Sequence, residues 1–324
     1  MNTVKINSNA KVNIGLKVLS LRKDGYHDIV TIFQEINLFD SISISINPLG
    51  CNFNSNVNWL KNDKRNLCIT AYETMKKKFD INGINIDLTK NIPRGSGLGG
   101  GSSNAASVLK GIRQLYNLDI SDNELENIAA EIGADVPFFI RGSIQLGEGV
   151  GDRLTPLKIN INGKYLIIIP EIIINTFWAY SQFKKNLDSS LSSINFAGLS
   201  IGKTISLDML KLFENDFESI VVPTYPEIGE IKEKLHALGA RYASLSGSGS
   251  TVFGIFNDDV SLNKAFKAEL ILFSITTRSP SDISTLFNSG SCPVSACIYN
   301  GSTYRMLFSM GITRRFPLVI LEPC

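Results

Sequence analysis

The densest chemistry in the sequence lies in Pro93-Arg-Gly-Ser-Gly-Leu-Gly-Gly-Gly-Ser-Ser103, which holds five glycines and three serines. Glycine removes the Cβ barrier to unusual dihedrals, so such a run can turn successive backbone N–H groups toward one anion. Downstream, Ala105, Val108, Leu109, Ile112 and Leu115 form a helical stripe whose positive dipole end would face the same place, with Ser102 or Ser103 as the expected cap. Upstream, Ile84, Ile86 and Leu88 alternate as in a strand. Phosphate is the guest this arrangement suits. A flexible linker is the plain alternative, but linkers are rarely wedged between a strand and a capped helix. Gly95, Gly97 and Gly100 also satisfy a bare G-x-G-x-x-G, yet Asp119 and Asp122 fall at a helix start rather than ending a second strand, as a dinucleotide site requires. Ala197 to Thr204 fits a relaxed nucleotide-loop pattern without a buried strand leading in, so Lys203 reads as a surface lysine.

Phosphoryl transfer needs an acid and a cation beside such a loop. Asp135, in Gly133-Ala-Asp-Val-Pro-Phe-Phe139, is a carboxylate among apolar residues; it is as readily a hydrogen-bonded structural acid as a proton acceptor. Lys11 interrupts an apolar strand, where a lysine more often points outward; inward, it would stand beside that acid. Asp24-Gly-Tyr-His27 is a turn carrying an aromatic ring and one of the two histidines, suited to a flat ring although a plain surface turn is the commoner meaning.

The elements that must position these groups are short and mixed. Val12 to Val18, Ile42 to Ile46, Tyr165 to Ile169 and Val252 to Phe256 read as strands, and Asn66 to Phe79 and Glu227 to Leu238 as helices. Ser121 with Glu124 makes a capping box ahead of a helix closed by Gly133, followed by an apolar exit over Ala134 to Ile140. Turn residues from Gly151 to Asn162 mark a domain boundary, and Asp188 to Ser193 is a polar loop. Strands and helices without regular alternation argue for an α+β fold. The 324 residues are 44% hydrophobic and 19% charged, enough for about two domains. Thirty-two basic against 30 acidic residues leave +2, no electrostatic reason to expect nucleic acid or an anionic membrane. No apolar run suits a bilayer, and Met1 to Ala10 lacks a secretory core, so a soluble cytoplasmic protein is expected. Cys51, Cys68, Cys292, Cys297 and Cys324 lack zinc-type spacing and read as free thiols.

Five stretches form one pattern: Lys11 to Leu16, Gly25-Tyr-His27, Pro93 to Ala106, Gly133 to Phe139 and Leu245 to Phe256. Together, over roughly Val4 to Phe256, the chain resembles the GHMP small-molecule kinases. Within them, Ala10-Lys-Val-Asn13, Asp24-Gly-Tyr-His27 and Gly97 to Ala106 are similar to the branch that acts on 4-diphosphocytidyl-2-C-methyl-D-erythritol in non-mevalonate isoprenoid synthesis.

The resemblance implies a ribosomal-protein-S5-like ATP-binding domain over residues 1–155, a ferredoxin-like domain over 156–270, and a site in the cleft between them. It implies ATP as donor with Mg²⁺, the phosphates being wrapped by Pro93, Arg94, Gly95, Ser96, Gly97, Leu98, Gly99, Gly100, Gly101, Ser102 and Ser103, with Ser102 beside the metal. Asp135 would take the proton from the acceptor's 2-hydroxyl, and Lys11 would orient that acid and steady developing charge. Asn13 would touch the acceptor, Tyr26 and His27 would hold its cytosine, and Tyr180 would complete the sandwich ahead of Phe177 or Trp178. Ser246, Gly247, Ser248 and Gly249 would close over the acceptor's phosphates. The implied partner is a small molecule, with no nucleic acid or membrane, and the chain a monomer or weak homodimer.

Residues 271–324 lie outside the likeness; Ser274 to Cys324 has only Asp282 and Glu322 as acids, and a cut near Ile275 is expected to spare fold and activity. Kinases for sugars, homoserine or mevalonate-type alcohols would share the loop but not need Tyr26 and His27. A catalytically silent relative would not need both Lys11 and Asp135. A nucleic-acid role for an S5-like domain lacks a basic, aromatic surface signal.

Overall fold

A computed structural model describes residues 3–61, 63, 65–183, 207–266, 305–306 and 318–321. The Asp188 to Ser193 loop, the Ala197 to Thr204 pattern and Cys292, Cys297 and Cys324 lie outside the described residues.

The alternation around Val12 belongs to a much longer strand, β1 (Thr3–Leu21), which turns through Asp24, Gly25 and Tyr26 into the equally long β2 (His27–Asn47). Sequence patterning sees only the middle of β1, because Ser8 interrupts the even-numbered apolar series Val4, Ile6, Ala10, Val12. The turn closes through Arg22 N to Tyr26 O at 2.7 Å, with Gly25 at φ +86°. β3 (Asn52–Ser55) precedes α1 (Asn58–Lys61) and α2 (Leu67–Lys78), and β4 (Gly83–Thr89) leads into the glycine loop. α3 (Gly100–Leu115), α4 (Asp122–Ala130) and α5 (Phe138–Arg141) follow, then β5 (Ile144–Glu148) and β6 (Arg153–Pro156). β1 covers one edge of β2, while β4 and β5 pair in turn along the rest of it, giving a six-stranded sheet.

Local chemistry explains most helix limits. Asn66 caps α2 by accepting from Cys68 N at 3.0 Å, and Lys76, Lys77 and Lys78 complement its C-terminal dipole. Ser121 and Glu124 form the expected capping box of α4. That helix ends at Ala130 rather than Gly133, which instead closes the following turn by donating to Ala129 O, and the apolar exit contains α5. The expected serine cap of α3 is corrected: its N-cap is Gly99, in the left-handed region at φ 70°, and no side chain caps it. Neither Ser102 nor Ser103 can serve, because both already lie inside the helix.

The chain crosses to a second sheet between Pro156 and β7 (Lys164–Ile168). α6 (Thr176–Ser181), α7 (Glu218–Thr224) and α8 (Pro226–Ala237) come before the antiparallel pair β8 (Tyr242–Leu245) and β9 (Val252–Phe256). Residues 259–266 are helical. β10 (Arg305–Met306) and β11 (Leu318–Leu321) come from the region expected to be a dispensable tail. β11 pairs antiparallel with β7, so the sheet runs β10-β11-β7-β9-β8. With β11 as the fourth strand this is the ferredoxin-like order, helices crossing between β7 and β8 and after β9.

One core lies between the first sheet and its helices, joining Ile42, Ile44, Ile84 and Ile86 to Tyr72, Met75, Leu109 and Ile112. A second lies between the sheets, where Val12, Ile14, Ile32 and Ile36 meet Tyr165, Ile167, Phe253 and Ile255. The stretch Ala10 to Leu16 is therefore buried on both faces, and Lys11 is 4% exposed.

Candidate active site

The glycine loop is held from beneath and behind. Leu98 plugs into the core between the sheets, Ser96 Oγ donates to Pro93 O at 2.9 Å, and Thr251 N donates to Ser96 O at 3.1 Å. Gly97, at φ +80°, packs so closely on the second glycine loop that a Cβ would stand 2.3 Å from Ser246 O. Ser246 Oγ completes that contact by donating to Gly97 O at 3.0 Å. The first-turn N–H groups of a helix have no intrahelical acceptors, and in α3 no side-chain cap takes one either, so they sit where an anion would be bound.

A cavity of about 300 Å³ opens on this loop, walled by Pro93, Arg94, Gly95, Ser96, Gly97, Gly99, Gly100, Gly101 and Ser102. Its far end is formed by Trp59, Leu60, Asn66 and Leu67, which sequence reading missed because α1 is a single turn without periodicity. The Arg94 guanidinium lies 4.8 Å from the centre of the Trp59 ring. Ser102 is half-buried on the cavity wall, whereas Ser103 is buried with its hydroxyl 2.8 Å from Ser8 Oγ. Among the described residues no group of three or more His, Cys, Asp or Glu side chains converges as a metal site. This donor set fits an ion carried mainly by phosphate oxygens, with the Ser102 hydroxyl beside it. Cys68 also lines the cavity, but burial pushes its thiol up to about 12, so it is an inert free thiol, as Cys51 is free.

A larger cavity of about 840 Å³ adjoins the first, and Gly97 and Gly99 line both. Lys11, Asn13, Asp24, Tyr26, His27, Asp135, Tyr180, Gly247 and Ser248 also line it. Lys11 and Asn13 share a strand face by their two-residue spacing. Lys11 Nζ donates to Asn13 Oδ1 at 2.6 Å and to Gly97 O at 2.9 Å, and lies 5.6 Å from the Phe33 ring centre. Burial lowers the Lys11 pKa, while the charge of Asp135 acts to raise it. Asp135 is half-buried on the turn after α4, near enough that its charge acts on both Lys11 and Tyr180. Asn13 is fixed in turn by donating to Thr31 Oγ1 at 3.0 Å.

The opposite wall is aromatic. His27 begins β2, 8% exposed, and its ring stacks on Tyr180 at 5.4 Å and 17°. Tyr180 is carried by α6, whose start Asn175 caps by accepting from Trp178 N at 3.0 Å. Phe217 meets Tyr180 edge-on at 4.8 Å and Phe183 at 5.3 Å. Burial holds the His27 imidazole below its ordinary pKa, and its Nε2 has no hydrogen-bond partner. Tyr26 is 65% exposed at the mouth, as is Phe177 at 84%. Trp178 instead turns away to Tyr225, at 6.0 Å. Thr176, Phe183 and Phe217 were not legible as site residues, since their places depend on packing across elements distant in sequence.

The second glycine loop closes the cavity floor. Asn215 Nδ2 donates to Leu245 O at 2.8 Å and to Gly247 O at 2.9 Å, and Ser248 Oγ lies 3.0 Å from Thr176 Oγ1. Ser246 is wholly buried on Gly97, and Gly249 packs against Ile174 and Leu245. Of this loop, Gly247 and Ser248 are the residues that line the cavity.

An anion cradle thus abuts a cavity holding a buried ammonium, a carboxylate and an aromatic wall. In comparison with known proteins, residues 66–143 match the GHMP kinases N terminal domain and residues 200–268 the GHMP kinases C terminal model. The 4-diphosphocytidyl-2-C-methyl-D-erythritol kinase of Chloroherpeton thalassium is 36% identical over 268 residues, covering 81% of this chain and 93% of that protein. A crystal structure of 4-(cytidine 5'-diphospho)-2C-methyl-D-erythritol kinase superimposes with TM-score 0.64 at 30% identity, covering 82% of this chain and 94% of the other. Homoserine kinase from Cytophaga hutchinsonii superimposes with TM-score 0.66 at 19% identity, covering 85% and 92%, a likeness of fold alone. On these grounds the chain belongs to the GHMP kinases and, within them, to the family of the 4-diphosphocytidyl-2-C-methyl-D-erythritol kinases.

Proposed function

We propose that this chain transfers the γ-phosphoryl group of ATP to the 2-hydroxyl of 4-diphosphocytidyl-2-C-methyl-D-erythritol, a step toward isoprenoid precursors. The observation that carries the reading is the shared wall: Gly97 and Gly99 border both cavities, with Lys11 bonded to Gly97 O at 2.9 Å. A donor phosphate on the glycine loop would therefore meet an acceptor hydroxyl at the rim where the two cavities join. In-line transfer asks for little beyond that placement, charge stabilisation and somewhere for the proton to go.

Asp135 supports the last requirement, as a carboxylate on the acceptor side within electrostatic reach of Lys11. It would accept the hydroxyl proton as the oxygen attacks, while the Lys11 ammonium offsets charge building between acid and phosphate. Gly100, Gly101 and Ser102 would present first-turn N–H groups to the phosphates, and Ser102 Oγ would ligate Mg²⁺. Bound there, the ion would neutralise phosphate charge. The Tyr180 and His27 pair, with Tyr26 at the mouth, supplies flat apolar surface and one unpartnered ring nitrogen for the cytosine. Homoserine and mevalonate have no ring to place there.

A coupled ADP-release assay with Mg²⁺-ATP tests this against the cytidyl alcohol, homoserine and mevalonate. The cytidyl alcohol is expected to give the highest kcat/KM; equal turnover of either rival would end the assignment.

A further inference from the structure

Beneath the glycine loop sits a carboxylate that takes no part in the chemistry above. Asp40, on β2, is 0% exposed. Its Oδ1 accepts from Asn91 N at 2.6 Å and Ile92 N at 2.8 Å, the residues through which β4 enters the loop. Its Oδ2 accepts from Asn104 Nδ2 at 2.8 Å, on α3 beyond the loop, and pairs with the Lys90 ammonium. One side chain therefore grips both ends of the segment that cradles the anion. Asn104 carries the grip further by donating to Ser8 Oγ at 3.0 Å, which in turn meets Ser103 Oγ at 2.8 Å.

Lys90 gives this network a functional direction. It lines the smaller cavity, and a Cβ on Gly100 would stand 2.8 Å from its Nζ. A cation at the first residue of α3 opposes the helix dipole, an arrangement that only a nearby negative charge makes favourable. Asp40 supplies that charge from below, and a bound polyphosphate would add to it from above.

We infer that Asp40 is a positioning residue for the nucleotide: it sets the two ends of the glycine loop and holds the Lys90 ammonium against the wall that faces ATP. The inference rests on the reading of the smaller cavity as the ATP site. Asp40 touches no substrate and acts through Lys90, Ile92 and Asn104. In Asp40→Asn one oxygen can still serve the two backbone N–H groups, but an amide then faces the ammonium and the Asn104 amide, donor against donor.

The test is ATP binding by calorimetry beside the ADP-release assay, on wild type, Asp40→Asn, Lys90→Met and the double variant, each melted thermally. Asp40→Asn and Lys90→Met are each expected to raise the ATP Kd about tenfold or more, with acceptor KM within about twofold. The double variant, freed of the unpaired buried cation, should melt closer to wild type than Asp40→Asn and yet keep the raised ATP Kd. Should Asp40→Asn fail to fold, Lys90→Met and the double variant carry the same readout. An ATP Kd within about twofold of wild type in any folded variant, or acceptor KM rising in parallel, overturns the inference. Wild type that does not bind ATP removes the reading of the cavity itself.

Discussion

Lys11 is bonded to the backbone of the glycine loop itself: its Nζ donates to Gly97 O at 2.9 Å, while the Asp135 charge acts on the same ammonium. The cation is thus shared between the donor cradle and the proposed base, and substitutions at either partner should separate chemistry from binding.

Asp135→Asn is expected to lower kcat by roughly 10²–10⁴-fold, with KM for ATP within about threefold. Steady-state kinetics on a variant that melts like wild type checks this. A comparable loss of ATP affinity would place Asp135 on the donor side instead.

Burial lowers the Lys11 pKa from 10.5, so the ammonium is lost at a pH below that value, and activity should fall along an alkaline limb beneath pH 10.5. Activity remaining in Lys11→Arg should lack that limb, because guanidinium stays protonated. The stability sign follows the same shift: the unfolded chain binds this proton more tightly, so the cost of burying it eases as pH rises through the folded pKa. pH–rate profiles and melts between about pH 7 and 10 read both effects.

Burial shifts His27 in the same direction as Lys11, but here the neutral form is the one that serves binding. Burial holds its pKa below 6.5, leaving it neutral at pH 7. Acceptor KM should be flat above pH 6.5 and rise only as pH falls through the lowered value, with native stability declining over the same acid range because the unfolded chain takes up the proton first. Acceptor binding that changes across pH 7–8 would exclude His27 as the group responsible.

Tyr180→Ala removes the ring that stacks on His27 at 5.4 Å. It should raise acceptor KM about tenfold or more, as loss of one base-stacking surface does, with ATP Kd unchanged. Tyr26→Ala should act in the same direction. Equal losses for ATP and acceptor would mean that the cavity had collapsed.

Gly97→Ala would force a Cβ to 2.3 Å from Ser246 O at φ +80°. Left-handed backbone alone costs about 1–2 kcal/mol, and the clash with backbone adds to it. Activity is expected to fall about a hundredfold or more, with a lowered melting temperature. Gly95→Ala, where a Cβ meets only Ile173 at 3.9 Å, serves as the milder control for positive φ.

A chain ending at Ile275 would lose β10 and β11 and leave β7 as an open edge. The expectation that this region is dispensable is thereby divided: melting temperature should fall, while ATP-dependent turnover persists, since Lys11, Asp135, Tyr180 and the glycine loop that line the two cavities all lie upstream of the cut. Loss of turnover in a chain that still melts cooperatively would contradict this.

The sequence made the donor half most legible, because five glycines between a strand and a helix have few other uses. Lys11 and Asp135 were visible as oddities, a charge in each of two apolar runs, but their place in one cavity depends on packing that the sequence does not show. The aromatic wall was only partly readable: Tyr26 and His27 sit in one turn, whereas Phe217, distant in sequence, is what packs against both Tyr180 and Phe183. Asp40 was invisible, since a single carboxylate at the end of an alternating run looks like a surface residue until Lys90 and Asn104 are folded onto it.

The uncapped start of α3 reaches beyond catalysis. Natural helices usually finish their first turn with one of their own side chains; here Gly99 offers none. On the proposed reading the nucleotide would take the part of a missing residue, and the helix would be completed by a metabolite rather than by the genome. Local order in the first domain would thus track the cell's ATP supply, and amide exchange at Gly100, Gly101 and Ser102 would read it directly.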